Sequence, residues 1–144
     1  MRVVRIKPSH LSEIAALEAL CFSEPWSEGA LELLLCESAT GFVCLCDGRV
    51  QAYGGMLIAP DEGQITNVAV HPEARRMGLG RAIVDALINE ARARGLEQIS
   101  LEVRVSNLAA IALYEKVGFA VEGRRKNFYR RPTEDALVML KSIQ

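Results

Sequence analysis

Histidine is scarce in this chain. His10 and His71 are the only two in 144 residues, and the four cysteines, Cys21, Cys36, Cys44 and Cys46, contain no C-x-x-C spacing. The nitrogen and sulfur ligands of an ordinary zinc site are therefore missing, and no metal is expected. A surplus of one charge is missing too: 17 lysines and arginines face 18 aspartates and glutamates, for a formal net charge of -1. That balance gives no whole-chain cationic field for nucleic acid or an anionic membrane, and neither is expected as a direct partner. No apolar run approaches the ~20 residues that cross a bilayer. The opening stretch Met1-Arg2-Val3-Val4-Arg5-Ile6-Lys7-Pro8 carries a charge at every third position or closer, so it lacks the apolar centre of a secretory signal. A cytoplasmic location is expected, with the cysteines as buried structural thiols. Cys44 and Cys46, one residue apart, would share one face of a strand.

Repeats, low-complexity tracts and Ser/Pro-rich linkers are absent as well, while 50% of the residues are hydrophobic. Residues 1–144 are thus expected to form a single domain around a sizeable core, although nothing specifies an oligomeric state. The spacing predicts a strand over 2–7 and a helix opened by Pro8-Ser9, with Leu11, Ile14, Leu17 and Leu20 on one face. A short helix capped by Ser27 follows, with Leu31, Leu34 and Leu35 on one stripe and Gly41 as its stop. Strands over 42–46 and 49–58 around Asp47-Gly48 form a hairpin signature. Pro60-Asp61-Glu62-Gly63 then turns the chain into a strand over 64–70. A helix over 79–94, with Leu79, Ile83, Ala86, Leu87 and Ala91 inward, ends at Gly95. Ile99, Leu101 and Val103 alternate along a strand over 97–103. A helix over 107–117, capped from Ser106, and strands over 119–129 and 135–141 complete the chain. Strand, helix and strand over 64–103 require a parallel pair, whereas the flanking hairpins require antiparallel ones, so the class is α+β with a mixed sheet.

The most informative local segment is Arg75-Arg76-Met77-Gly78-Leu79-Gly80-Arg81, between a strand and a helix. Two glycines at spacing two let the backbone bend sharply beside the free N–H groups of a helix start, a cradle for pyrophosphate with arginines alongside. A phosphate loop of the Walker type would need Lys-Ser/Thr after Gly80, where Arg81-Ala82 stand. A dinucleotide fingerprint would need a small residue at 83, where Ile stands. An R-x-x-G-x-G turn remains, and by itself it fits either an anion cradle or a plain glycine turn.

That segment has company. Asn67-Val68-Ala69-Val70-His71-Pro72, then Arg75 to Gly80, then Leu101-Glu102-Val103-Arg104-Val105-Ser106-Asn107, then Ala112-Leu113-Tyr114-Glu115-Lys116-Val117-Gly118-Phe119 resemble, in order and spacing, the GNAT superfamily of acyl-CoA-dependent N-acyltransferases. The resemblance spans essentially the whole chain. It implies the GNAT fold, a mixed central sheet of about seven strands with four helices and the parallel pair at the cofactor site. Three further segments, Glu24-Pro25-Trp26-Ser27, the L-E-V-R-x-S-N run and Arg124-Arg125-Lys126-Asn127-Phe128-Tyr129 leading into Glu134-Asp135-Ala136-Leu137-Val138-Met139, are similar to the RimI-type ribosomal-protein alanine N-acetyltransferases. That narrower resemblance implies direct general acid/base transfer of acetyl from acetyl-CoA to the N-terminal amine of a protein, a small-subunit ribosomal protein. Acetylation of a lysine side chain or a small amine, and an inactive acyl-CoA-binding regulatory module, are the alternatives. Phe128 departs from the pattern, since a tyrosine commonly stands there.

Carried over by position, the resemblance implies that the backbone of Val68, Ala69 and Val70 pairs with the pantetheine arm. Arg76, Met77, Gly78, Leu79, Gly80 and Arg81 would cradle the pyrophosphate, and Asn107 would contact the cofactor. Glu102 would be the general base and Tyr114 the general acid, with Trp26 and Tyr129 at the acceptor. Residue chemistry alone leaves second readings open. Glu102, opposite the apolar face of its strand, also fits a solvated or salt-bridged carboxylate. Tyr114 also fits a core aromatic with a satisfied hydroxyl, and Trp26 a core anchor.

Overall fold

The computed structural model describes residues 1–143; Gln144, the last residue of the expected domain, lies outside them. Strand β1 (Arg2–Arg5) leads through a 3-10 turn at Pro8–His10 into α1 (Leu11–Cys21), and α2 (Glu28–Leu31) runs on as a 3-10 turn over Glu32–Leu35. Three strands follow, β2 (Ala39–Cys46), β3 (Arg49–Ile58) and β4 (Glu62–Val70). Helix α3 (Leu79–Ala93), β5 (Gln98–Arg104), α4 (Leu108–Lys116), β6 (Ala120–Tyr129) and β7 (Glu134–Ser142) complete the order. The seven strands form one sheet in the order β1-β2-β3-β4-β5-β7-β6, and β4–β5 is its one parallel pair among the described residues. This is the expected mixed sheet with four helices.

Local chemistry explains the turns. Asp47 and Gly48 take φ of 53° and 74°, as a tight hairpin between right-twisted strands requires. Ser27 caps α2 by accepting the Ala30 N–H at 3.1 Å. Two cores sandwich the sheet. Leu11, Ile14 and Leu17 of α1, with Leu31 and Leu34, cover one face over Val43, Tyr53 and Ala69. Leu79, Ile83, Val84, Leu87 and Ile88 of α3, with Tyr114 of α4, cover the other over Ala52, Ile99, Leu101 and Met139.

Several expectations need correction. Strand β1 ends at Arg5 because the 3-10 turn follows so closely. Leu20 is 59% exposed; the inner face of α1 continues through Glu18 instead, which is fully buried. Leu31 and Leu34 face inward as expected, but Leu35 is exposed because the chain tightens to three residues per turn after α2, which keeps only the i, i+3 pair on that face. Gly41 does not stop a helix. It lies inside β2, where an added Cβ would come within 2.3 Å of Ile6 Cδ1 and 3.1 Å of the Gly54 carbonyl. Glu62 and Gly63 already belong to β4, and Ala86 is only half-buried. Helix α4 is capped by Asn107 and not by Ser106: the Asn107 Oδ1 accepts the Ala110 N–H at 3.2 Å. Cys44 is buried and Cys46 packs on the same core, but Cys36 is an exposed thiol.

Gly54, opposite Val68 in the β3–β4 register, shows how closely α3 lies on the sheet. An added Cβ there would come 2.5 Å from Ile83 Cγ2 and 3.2 Å from Leu87 Cδ1, both in the fully buried row of α3. Gly54→Ala should therefore destabilise the fold by ~1–3 kcal/mol through overpacking, measured by thermal or denaturant unfolding. A variant as stable as the parent would mean that α3 can lift off β3 at no cost.

Candidate active site

Strands β4 and β5 pair over three rungs only, Glu62 with Gln98, Gly63 with Ile99 and Gln64 with Ser100. Beyond Gln64 they part. The β3–β4 register also slips between Gly54 and Met56, which places a bulge at Thr66-Asn67 at the start of the gap. The His71 N–H donates to Gln51 at 2.8 Å, so the antiparallel alternation turns the backbone of Ala69 toward β3 and that of Val68 and Val70 toward the gap. Of the three residues expected to offer an edge, two do so. The Val70 carbonyl already accepts the Cys21 thiol and Arg75 Nε, each at 3.4 Å.

The gap opens a cavity of about 510 Å³ that reaches both layers of the sandwich. Cys21, Phe22 and Trp26 line it from the α1 side, Asn107, Ala110 and Tyr114 from α4, and Glu102, Phe128 and Tyr129 from β5 and β6. Glu102, Tyr114, Asn107, Trp26, Tyr129 and Val68 are thus brought together. The Glu102 side chain is 15% exposed; Gln64 Nε2 lies 3.5 Å from its Oε1 and Arg125 Nε 3.3 Å from its Oε2. Tyr114 packs its ring edge-on to Phe119 within the core, yet its hydroxyl has no hydrogen-bond partner among the described residues. Burial raises the Tyr114 phenol well above its ordinary value, so it holds its proton at neutral pH. Burial, with the Glu102 charge next, pushes Tyr129 up to about 12. Trp26 is half-buried: it packs against the α1 core and also forms part of the cavity wall.

The glycine turn lies next to this cavity. Arg76 and Gly78 take φ of 66° and 80°. The first helical hydrogen bond runs from the Ala82 N–H to the Gly78 carbonyl, which leaves the amides of Gly78, Leu79, Gly80 and Arg81 unpaired within α3. A Cβ on Gly78 would meet nothing within 4 Å, whereas one on Gly80 would touch Leu113 of α4 at 3.4 Å and Val70 of β4 at 3.5 Å. Gly78 thus borders open space and Gly80 the packing that ties the cradle to the gap. Met77 is 64% exposed beside them. Four unpaired amides, an open glycine and flanking arginines fit a pyrophosphate.

Comparison with known proteins accords with this geometry. Residues 11–119 match the model of the acetyltransferase (GNAT) family, and the chain belongs to that family. The particular relatives share one designation. The chain is 39% identical over 131 residues to the ribosomal protein bS18-alanine N-acetyltransferase of Escherichia coli strain K12, covering 88% of this chain and 87% of that one. The enzyme of the same designation from Salmonella typhimurium strain LT2 is equally similar, at 39% over 131 residues with the same coverage. The crystal structure of the Escherichia coli ribosomal-protein-S18-alanine N-acetyltransferase superposes with a TM-score of 0.93 at 34% identity, covering 99% of this chain and 94% of that one.

Two polar side chains that sequence reasoning left without a role organise the site. Glu18, on the inner face of α1, accepts the Trp26 N–H and the Asn67 side-chain amide, each at 2.9 Å, as well as the Tyr53 hydroxyl. Its only signal was a carboxylate continuing an apolar helical stripe. Arg104, at the end of β5, donates to the carbonyls of Arg130 at 2.8 Å and Pro132 at 3.0 Å and to Glu134 at 3.0 Å, and its guanidinium lies 4.5 Å from the Tyr129 ring centroid. It ties the β6–β7 loop to the cavity. The Arg130 N–H bonds Glu24 at 3.0 Å, which joins that loop to the segment after α1.

Hydrogen bonding from Ser106, its side chain foremost, and then from Arg104 holds the Glu134 carboxyl below its ordinary value. A carboxyl with a lowered folded-state pKa stabilises the fold above the usual carboxylate range and loses that contribution as pH falls through its own pKa. Glu134→Gln should therefore melt below the parent above about pH 5, with the two melting temperatures converging under acid. A difference that persists unchanged at acid pH would mean that the contact is not electrostatic.

Proposed function

We propose that this chain transfers the acetyl group of acetyl-CoA to the N-terminal alanine amine of a small-subunit ribosomal protein of the bS18 type, acting as one domain in the cytoplasm. The observation that carries the reading is the meeting of Glu102 and Tyr114, from different elements, in one cavity where β4 and β5 part and the α3 turn abuts. The designation shared by the relatives supports the choice of acceptor.

Val68 and Val70 offer backbone groups to the pantetheine arm as an added strand would, and Arg76, Met77, Gly78, Leu79, Gly80 and Arg81 hold the pyrophosphate. Asn107 spends its Oδ1 on the helix cap and keeps its Nδ2 donor for the cofactor. Acetyl-CoA supplies an acyl group activated as a thioester. Trp26 and Tyr129 enclose the acceptor, and Glu102 receives a proton from the amine. An α-amine, with a pKa near 7.7–8.0, is already ~10% neutral at pH 7, whereas lysine near 10.4 is neutral at under ~0.1%. A carboxylate therefore suffices as the base for an N-terminal acceptor, while a lysine would demand more. The Val68 N–H, turned to the gap, is placed to stabilise charge growing on the acyl oxygen. Tyr114 keeps its proton and has no competing partner, so its hydroxyl can deliver that proton to the departing sulfur.

Gly78→Val should fold, with backbone strain from its positive φ, and should lose most coenzyme A affinity because its side chain fills the open approach. Calorimetry reads this, and parental affinity in a folded variant would remove the turn from the cofactor site.

Short peptides differing in their first residues test the reaction. The parent should acetylate the α-amine of alanine-initiated peptides and leave internal lysines untouched. Glu102→Gln should keep coenzyme A affinity and lose ~10²–10⁴-fold in turnover, a loss that shrinks as rising pH neutralises the amine. Tyr114→Phe should likewise lower kcat with little change in either affinity, and a donor with a more acidic thiol should recover part of the rate. Transfer to lysine, or turnover unchanged in both variants, would overturn the assignment.

A further inference from the structure

We infer that Glu18 is a positioning residue that locks the acceptor wall and the bulged cofactor strand at one spacing; the inference rests on the acetyl-transfer reading of the cavity. Glu18 has no exposed surface and pairs with no lysine or arginine among the described residues. Three donors from three different segments meet its carboxyl instead. Oε1 accepts the backbone N–H of Trp26, in the loop after α1, and Oε2 accepts the side-chain amide of Asn67, in the β4 bulge. The third donor, the Tyr53 hydroxyl, comes from β3 in the middle of the sheet. Burial and the adjacent Glu18 charge raise the Tyr53 phenol far above its ordinary value, so it remains a donor.

The cost of that burial is informative. A carboxyl taken out of water is destabilising unless its lone pairs are met, and an apolar residue of similar size is often as stable or better. Leucine at position 18 would extend the Leu11, Ile14 and Leu17 face without that cost. What leucine cannot do is join two segments with no other reason to keep a fixed distance. Trp26 and Asn67, from different segments, both line the cavity. Asn67 immediately precedes Val68, whose backbone faces the gap, so a shift of the bulge moves that edge. Tyr53 adds a bond from β3 to the same carboxyl, but the carboxyl itself bridges the two segments. Glu18 itself is not among the residues lining the cavity, and its effect on the reaction therefore passes through Trp26 and Asn67.

The chain carries a built-in probe, because Trp26 is its only tryptophan. In Glu18→Ala, acrylamide quenching of Trp26 should rise and kcat toward an alanine-initiated peptide should fall by ~10-fold or more, the scale at which small misplacement acts, while coenzyme A affinity stays near parental. Glu18→Gln, whose amide oxygen still accepts the Trp26 N–H and whose NH2 can donate to the Asn67 Oδ1 once that amide turns over, should restore most of both. Asn67→Ala should also raise Trp26 quenching, although these side chains are linked only through Glu18. Tyr53→Phe keeps both bridging bonds and should lower stability with Trp26 quenching and peptide KM close to parental. Unchanged Trp26 quenching in folded Glu18→Ala, or in Asn67→Ala if the former does not fold, would overturn the proposal, as would Tyr53→Phe reproducing the kinetic loss. The quenching and coenzyme A titrations need no acceptor. A parent that acetylates no peptide α-amine would thus refute the function proposed above, while the fluorescence comparison still decides the role of Glu18.

Discussion

The site depends on the place where β4 and β5 stop pairing. A parallel pair that continued beyond Gln64 and Ser100 would close the sheet and leave no cavity. The parting is affordable because each strand keeps its other neighbour, β4 with β3 along its length and β5 with β7 from Gln98 to Arg104. Only the backbone groups that face the gap lose partners, and unpaired backbone groups away from water are costly unless something meets them. The Cys21 thiol and Arg75 meet the Val70 carbonyl. The remaining groups are those that the proposed pantetheine arm, with amides of its own, would meet.

The bulge at Thr66-Asn67 makes this arrangement possible. By inserting a residue against β3, it changes which backbone groups face the gap and bends β4 away from β5. A bulge of this kind needs support, and Asn67 finds it in α1 through Glu18, outside the sheet. The opposite wall is supported in the same way. Arg104 gathers the carbonyls of the β6–β7 loop beneath the Tyr129 ring, and Glu24 fastens that loop to the segment that carries Trp26. Apolar packing alone builds the sandwich, but polar contacts between segments distant in sequence set the shape of the cavity.

That division explains what the sequence disclosed. Period and turn chemistry are local, so the Asp47-Gly48 hairpin, the alternation of Ile99, Leu101 and Val103 and the end of α3 at Gly95 were all legible. The glycine turn was legible as a sharp bend at a helix start that fits an anion cradle or a plain turn, and family resemblance singled out the cradle, Glu102 and Tyr114. Gly41 misled because a glycine that permits close approach of Ile6 and Gly54 looks the same in sequence as one that ends a helix. Leu35 misled because the helical period itself changed from 3.6 to 3 within a few residues. Glu18 and Arg104 could not be assigned from spacing, since their partners lie 8 to 49 and 26 to 81 residues away. A carboxylate on an apolar stripe was the one local irregularity, and its meaning appears only when Tyr53, Asn67 and Trp26 converge on it.

The two phenols of the cavity show how position and not residue type separates the roles. Tyr114 and Tyr129 are both raised by burial, and both keep their protons near neutral pH. Tyr129 lies under Arg104 and close enough to Glu102 to feel its charge, so a proton leaving Tyr129 would create a second negative charge beside the first. Tyr114 is raised further still, so acidity does not separate the two phenols; the element that carries each hydroxyl does. Tyr114 sits on α4, next to the helix segment that abuts the glycine turn, with no hydrogen-bond partner to compete for its hydroxyl. In the proposed transfer a carboxylate on β5 would take one proton at the acceptor side, and a phenol on α4 would release another at the cofactor side. A single group doing both would have to move between the two ends of the bond being made and broken. Here the distance is spanned by two elements held apart by the sheet itself.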